Sequence, residues 1–200
     1  MKKIIWIAIP ILAIGFWFLS SGDDSAYLNQ VNDEIEERKD FLKSDPQSPF
    51  VLFEVPYTEP EYFPIDAKYK VNARVERLDT KSVIQLADNK GEKQRYQRFA
   101  WLHFRLDGQA HKLMVLKPAG FGANDFFFLA FSDETSGDTS YGGGRYLDVE
   151  IGKSDKVVLD FNLAYSPYCA YVEEYSCPLP LRENRLGLLI EAGEKYVYDY

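Results

Sequence analysis

Tyr96-Gln97-Arg98-Phe99-Ala100-Trp101-Leu102-His103-Phe104-Arg105-Leu106-Asp107-Gly108-Gln109-Ala110-His111-Lys112-Leu113-Met114-Val115-Leu116-Lys117 is the stretch that decides the fold. Asp107-Gly108 is the strongest short-range hairpin signal in the chain, because a two-residue turn needs residues that tolerate positive φ. Such a turn pairs His103 with Lys112 and Phe104 with His111. Neighbouring residues of a strand point to opposite faces, so the two histidines fall on opposite sides of the sheet. A metal site shared by them is not expected, and each reads as an ordinary strand residue.

Outward from the hairpin the pattern stays at period two. On the N-terminal side Tyr69, Val71, Ala73 and Val75 alternate with Lys70, Asn72, Arg74 and Glu76, a half-buried strand. Ser82 to Leu86 is a shorter strand, stopped by the turn residues Asp88-Asn89-Lys90-Gly91. On the C-terminal side strands are predicted at Asp125 to Phe131, Arg145 to Ile151, Lys156 to Leu163 and Arg185 to Glu191. Gly152-Lys153-Ser154-Asp155 closes an expected hairpin that sets residue 146 or 147 opposite Asp160, within reach of Arg145. Pro49 to Pro64 carries four prolines and many aromatics and suits an extended segment on a sheet edge. Ser25 to Ser44 reads as an amphipathic helix with its stripe at Leu28, Val31, Ile35 and Leu42, ended by Pro46. About eight short strands with one leading helix predict a mainly β domain over residues 23–200, an antiparallel sandwich or partly open barrel.

The N-terminus reads differently. Lys2 and Lys3 precede Ile4 to Leu19, sixteen residues without a charge. That is roughly 24 Å of helix, short of a hydrocarbon core unless Ser20 to Gly22 are included. The small residues after Leu19 make a poor cleavage site, and Trp17 and Phe18 resemble an interface belt. Residues 1–22 are therefore expected to be a retained signal anchor; a cleaved signal peptide is the alternative. Either way the lysines stay inside and the domain lies outside the cytoplasm, periplasmic or at the cell surface, with the membrane as partner through residues 4–22. In that compartment Cys169 and Cys177, an even pair at short spacing, are expected to form a disulfide.

Charge narrows the partners. The net charge is −8, and without Lys2 and Lys3 it is −10. Such a surface repels phosphate backbones, so nucleic acid is not expected as a partner. Apolar residues make up 46% of the chain, which excludes a disordered body and supplies a core. Two histidines and two cysteines leave little material for a metal centre, and no metal is expected.

Two segments exceed what strands and turns require. Phe131 to Tyr146 holds Asp133, Glu134 and Asp138, five serine and threonine hydroxyls, Tyr141 and the run Gly142-Gly143-Gly144-Arg145. Its glycines could turn amides toward an anion with Arg145 completing the cradle, or its carboxylates could act as acid and base or as hard cation ligands. The plain reading is a long acidic turn that caps its own backbone. It lacks a Walker A lysine, a GxGxxG run and a calcium-loop pattern, so no cofactor is expected. In the second segment, Leu159 to Leu186, Asp160 and Asn162 share one strand face near Tyr165. With Arg185 they could pin the cysteine loop or orient a polar molecule. Tyr165, Tyr168, Tyr171 and Tyr175 crowd one loop, as a wall for sugar or peptide or as ordinary packing.

These segments carry a family resemblance. Asp138-Thr139-Ser140-Tyr141-Gly142-Gly143-Gly144-Arg145-Tyr146, then Asp160-Phe161-Asn162 through Ala164-Tyr165, Pro167, and Cys169-Ala170-Tyr171 form its first part. Cys177-Pro178-Leu179-Pro180, Glu183-Asn184-Arg185-Leu186 and Ala192-Gly193-Glu194-Lys195 complete it. Together they closely resemble the uncharacterised bacterial family known as domain of unknown function 1684. Ser166 stands where that family usually has Asn, and Leu181-Arg182 where it usually has prolines. The resemblance implies membership and carries no mechanism. The expected ligand site comprises Asp133, Tyr141, Arg145, Asp160, Asn162, Tyr165 and Arg185, in a binding module for a small polar or glycan-like ligand. A hydrolase using paired carboxylates and an envelope structural or assembly protein are the alternatives.

Overall fold

The computed structural model describes residues 5–80, 82–119 and 126–196, with side chains from residue 25 onward. Helix α1 (Ile5–Ser44) and the single turn α2 (Pro49–Leu52) precede seven strands: β1 (Lys70–Arg77), β2 (Val83–Ala87), β3 (Lys93–Leu106), β4 (Gln109–Pro118), β5 (Ala130–Phe131), β6 (Arg145–Tyr146) and β7 (Lys156–Asp160). The hairpin forms as its turn requires. Asp107 and Gly108 have φ of 49° and 75°, and His103 pairs with Lys112 and Phe104 with His111.

β3 organises the sheet. β4 runs along one of its edges, while β1 and β2 lie end to end along the other, opposite residues 100–103 and 93–97. β7 then pairs with β1, and every pair is antiparallel. Leu102, Phe104, Leu113, Val115, Val75 and Leu159 build the main core on one face. The register with β4 shifts between Arg98 and Ala100, a bulge. One extra residue reverses the alternation, so Tyr96 and Ala100, both at even positions, point to opposite faces. Tyr96 thereby joins Leu86, Met114, Leu116 and Phe128 in a second cluster on the reverse face. Beyond β4 the ladder continues through Leu116–Phe128, the β5–β6 pair and Tyr146–Tyr165, but the sheet does not close into a barrel.

The fold is mainly β with one leading helix, yet the last third of the chain departs from expectation. The strand expected from Arg145 to Ile151 is only two residues long, and residues 185–191 contribute one bridge, Ser132–Arg185. Residues 152–155 join no hairpin, because β7 pairs with β1, and Asp160 lies opposite Lys70. Residues 161–163 coil into a 3-10 turn instead of extending β7. Pro49 opens a helical turn capped by Ser48, since proline suits the first helical position. Along α1, Val31, Ile35 and Leu42 are buried as the stripe requires, whereas Leu28 is exposed. Among the described residues no helix is long and apolar enough to cross a membrane. The anchor expected over residues 1–22 lies where side chains are outside the described residues.

Candidate functional site

The bulge that turns Tyr96 to the reverse face builds the floor of a cleft. Phe128, held opposite Leu116 by two backbone hydrogen bonds, forms one wall. Tyr146 and Tyr165, paired across their bridge with rings 6.0 Å apart and edge to face, form another. The cysteine loop makes the third wall, with Tyr168 and Tyr175 edge to face at 5.1 Å. That loop is tied to the β2–β3 turn. Asn89 donates from its backbone to the Cys177 carbonyl, accepts from the Cys177 amide at 2.8 Å, and donates from Nδ2 to the Tyr175 carbonyl. Asp88 accepts from the Ser176 hydroxyl, and the Leu179 amide donates to Ala87. Four chain segments thus enclose about 360 Å³, lined by five tyrosines and three phenylalanines with Asp148 beside them. The Tyr165 hydroxyl donates to Asp148 at 2.8 Å and that of Tyr146 to the Pro178 carbonyl at 2.6 Å. Burial raises the phenols of Tyr96, Tyr146, Tyr165 and Tyr168, so the rings stay neutral across the physiological range.

Of the residues singled out in the sequence, Tyr165 lines this cleft and most others lie elsewhere. Arg145 is fully buried. Its guanidinium donates to Asp133 and to the Ile190 carbonyl at 2.8 and 2.9 Å, and also to the Ala192 carbonyl. Asp133 also accepts from the Thr135 amide and hydroxyl and from the Ile190 amide. The expected juxtaposition of Arg145 with Asp160 is replaced by this pair. Asp160 instead caps the 3-10 turn at Asn162 and accepts from the Tyr27 hydroxyl at 2.9 Å, tying α1 to β7. Asn162 completes that network by donating to Tyr27, to the Asp66 carbonyl and to Asp160. Arg185 is exposed, 3.8 Å from Glu134. The carboxylates considered for paired catalysis, Asp133 and Asp160, therefore occupy separate internal networks.

The glycine run has a packing cause. Gly144 has φ of 85°, and a Cβ there would meet the Phe131 carbonyl oxygen at 2.5 Å. At Gly143 a Cβ would strike the Tyr141 ring. The disulfide expected between Cys169 and Cys177 is not formed: both are free, buried thiols. They meet through a hydrogen bond from the Cys169 amide to Cys177 Sγ at 3.1 Å, and the Tyr141 hydroxyl lies 3.9 Å from Cys169 Sγ. Their mutual contact lowers the Cys169 thiol and raises that of Cys177.

Sequence reasoning missed Tyr96, Tyr146 and Asp148 in the cleft, and also a buried pair beside it. Glu194 is wholly buried, 4.0 Å from Arg38 of α1, and accepts from the Tyr171 hydroxyl. Arg38 also lies 3.7 Å over the Tyr165 ring, so this pair backs one cleft wall. Burial raises the Glu194 carboxyl above its ordinary value, against the pull of Arg38. A raised native pKa means that the folded chain keeps a proton at pH values where the unfolded chain has lost it. This group's contribution is full at low pH and falls as pH rises from the ordinary glutamate value to the raised one. Glu194→Gln is expected to flatten that fall. Urea midpoints of both proteins from ~pH 4 to ~pH 8 test it; parallel profiles would place the titration elsewhere.

Residues 56–195 match the family described as Protein of unknown function (DUF1684). The solution NMR structure of an uncharacterized protein from Haloarcula marismortui is similar at 33% identity and a TM-score of 0.65. The match covers 87% of this chain and 96% of that one. No curated protein matches the chain.

Proposed function

The chain belongs to the DUF1684 family of proteins of unknown function, and we propose from its own geometry that it is a binding module for a small polar or glycan-like ligand that stacks on tyrosine. The observation that carries this reading is the convergence of aromatic rings from four segments around about 360 Å³. That volume lies within the range of small-molecule sites, and aromatic walls with a few fixed polar groups are their usual lining. The rings are held by backbone contacts of their own strands and by the tie between the cysteine loop and the β2–β3 turn, so the cleft is preorganised. Tyr165 and Asp148 provide the polar end.

In the same reading residues 4–22 hold the module at a membrane, outside the cytoplasm, on the strength of the Lys2-Lys3 flank and the uncharged run that follows. Carbonate-washed membranes should then retain the chain; its release would remove the membrane from the proposal and leave the cleft.

The direct test is ligand-induced stabilisation. A panel of sugars, amines, carboxylates and neutral aromatics is screened by thermal melting of the wild type. A compound present at ~100 times its Kd adds about 2.7 kcal/mol, roughly 5–10 °C in Tm at this chain length. Tyr175→Ala, at a half-buried position on the cleft wall, should abolish most of that shift. Equal stabilisation of wild type and variant would move the site elsewhere. A panel with no binder of any class would leave the rings as packing alone.

A further inference from the structure

We propose that the ligand of the aromatic cleft is an organic cation with an apolar or aromatic body, its charge beside Asp148 and its body against the tyrosine rings. This rests on the reading of the cleft as a ligand site and names the class of ligand it takes. The first support is the cleft's charge. Asp148 is the one ionisable carboxylate among the described residues that line it, and none of those residues is Lys, Arg or His. An anion entering the cleft would give up its hydration without meeting a cationic side chain.

The second support is the fate of the polar hydrogens. The hydroxyls of Tyr146, Tyr165 and Ser176 donate to Pro178, Asp148 and Asp88 respectively. A ligand that needs several donors, as a sugar does, finds these three committed. Besides the Tyr168 and Tyr175 hydroxyls, the wall offers the negative faces of aromatic rings, which attract an ammonium or guanidinium group most strongly where water is excluded. Arg38, stacked over Tyr165 at 3.7 Å, shows one of these rings already accepting a cation.

The third support is the surrounding field. A neighbouring recess of about 320 Å³ shares Leu147, Asp148 and Tyr165 with the cleft, and Glu34 and Glu150 line it as well. Its one cation, Arg38, is turned toward Glu194. With a net charge of −8 on the chain, the approach to Asp148 is negative at short and long range, which concentrates cations at the mouth. Asp148 is itself exposed, so a cationic head can meet it without being stripped of all its water.

Four probes decide the class: phenyltrimethylammonium, its neutral isostere tert-butylbenzene, benzenesulfonate, and cellobiose. Each is titrated into the full-length chain carrying labelled tyrosine rings, with ring resonances as the readout. The cation should shift Tyr146, Tyr168 and Tyr175 and bind at least fivefold tighter than its isostere. Asp148→Asn, at an exposed position, should weaken the cation roughly tenfold and leave the isostere unchanged. Should that variant melt early, Tyr175→Leu reads the same distinction, because losing a ring face weakens the cation more than an equally apolar neutral molecule. An isostere that binds as tightly as the cation, or a cation indifferent to both variants, overturns the charge assignment. Preferred binding of benzenesulfonate or cellobiose at the same rings also overturns it, while leaving the cleft as a ligand site. If no probe moves any cleft tyrosine, both the cation and the binding module fall together.

Discussion

Arg145→Ala is expected to destabilise the fold by about 3–5 kcal/mol, the usual result of removing one partner of a buried ion pair. The cause is what the truncation strands. The Asp133 carboxylate is as fully buried as the guanidinium it faces at 2.8 Å. The carbonyls of Ile190 and Ala192 would lose their donor in the same step. At this chain length such a loss corresponds to a fall in Tm of roughly 6–20 °C. Arg145→Lys should recover little, because an ammonium on a flexible stem cannot reproduce a planar fork that reaches a carboxylate and two carbonyls together. The double variant Arg145→Met/Asp133→Leu should lose less than the sum of its singles by more than about 1 kcal/mol, since neither charge is then left alone. Urea denaturation of the four proteins measures this, and additive losses would mean that the two side chains do not share an environment.

The same pair marks where sequence reading stopped. The hairpin was legible to the residue, because Asp107-Gly108 specifies a two-residue turn and the turn specifies the register. The helix stripe was legible because three of its four positions do face the core. Arg145, in contrast, had several carboxylates to choose from, and its choice of Asp133 over Asp160 depends on which strand lies beside β7. That neighbour is β1, about 85 residues earlier in the chain, so no local turn could announce it. The glycine run read equally as an anion cradle or a tight turn, while its cause is the close approach of Phe131, which lies opposite Arg145 at the far end of the same segment. The cleft was half visible: the crowded tyrosines after Tyr165 suggested a wall, but Tyr171 turns away to Glu194. Tyr96 enters only through a bulge that alternation alone cannot foresee.

Asn184 is expected to be the second most sensitive position, and its effect should reach the cleft. It ends the 3-10 turn Arg182–Asn184 and is 2% exposed. Its side chain accepts from the Met114 amide at 2.7 Å and donates to the carbonyls of Met114 and Ala130 at 2.9 and 2.8 Å. One amide therefore joins β4 to β5 where their own ladder offers no hydrogen bonds. Asn184→Ala leaves one N–H and two C=O groups buried without partners, at about 1–3 kcal/mol for each such group. A loss of about 3–5 kcal/mol is expected, allowing for partial relaxation. Asn184→Asp keeps the size and the acceptor but turns a carboxylate toward two carbonyls, which raises its native pKa. The folded variant then holds a proton that the unfolded chain releases, so its stability should fall as pH rises through the carboxylate range. The wild type has no such group at this position. Phe128 lies two residues before Ala130 and pairs with Leu116, two residues beyond Met114. Loosening the Asn184 clamp should therefore speed amide exchange at Leu116 and Phe128 more than at Leu102 in the main core. Uniform loss of protection would make Asn184 a general stabiliser only; a loss below about 1 kcal/mol in Asn184→Ala would show that β4 and β5 hold together without it.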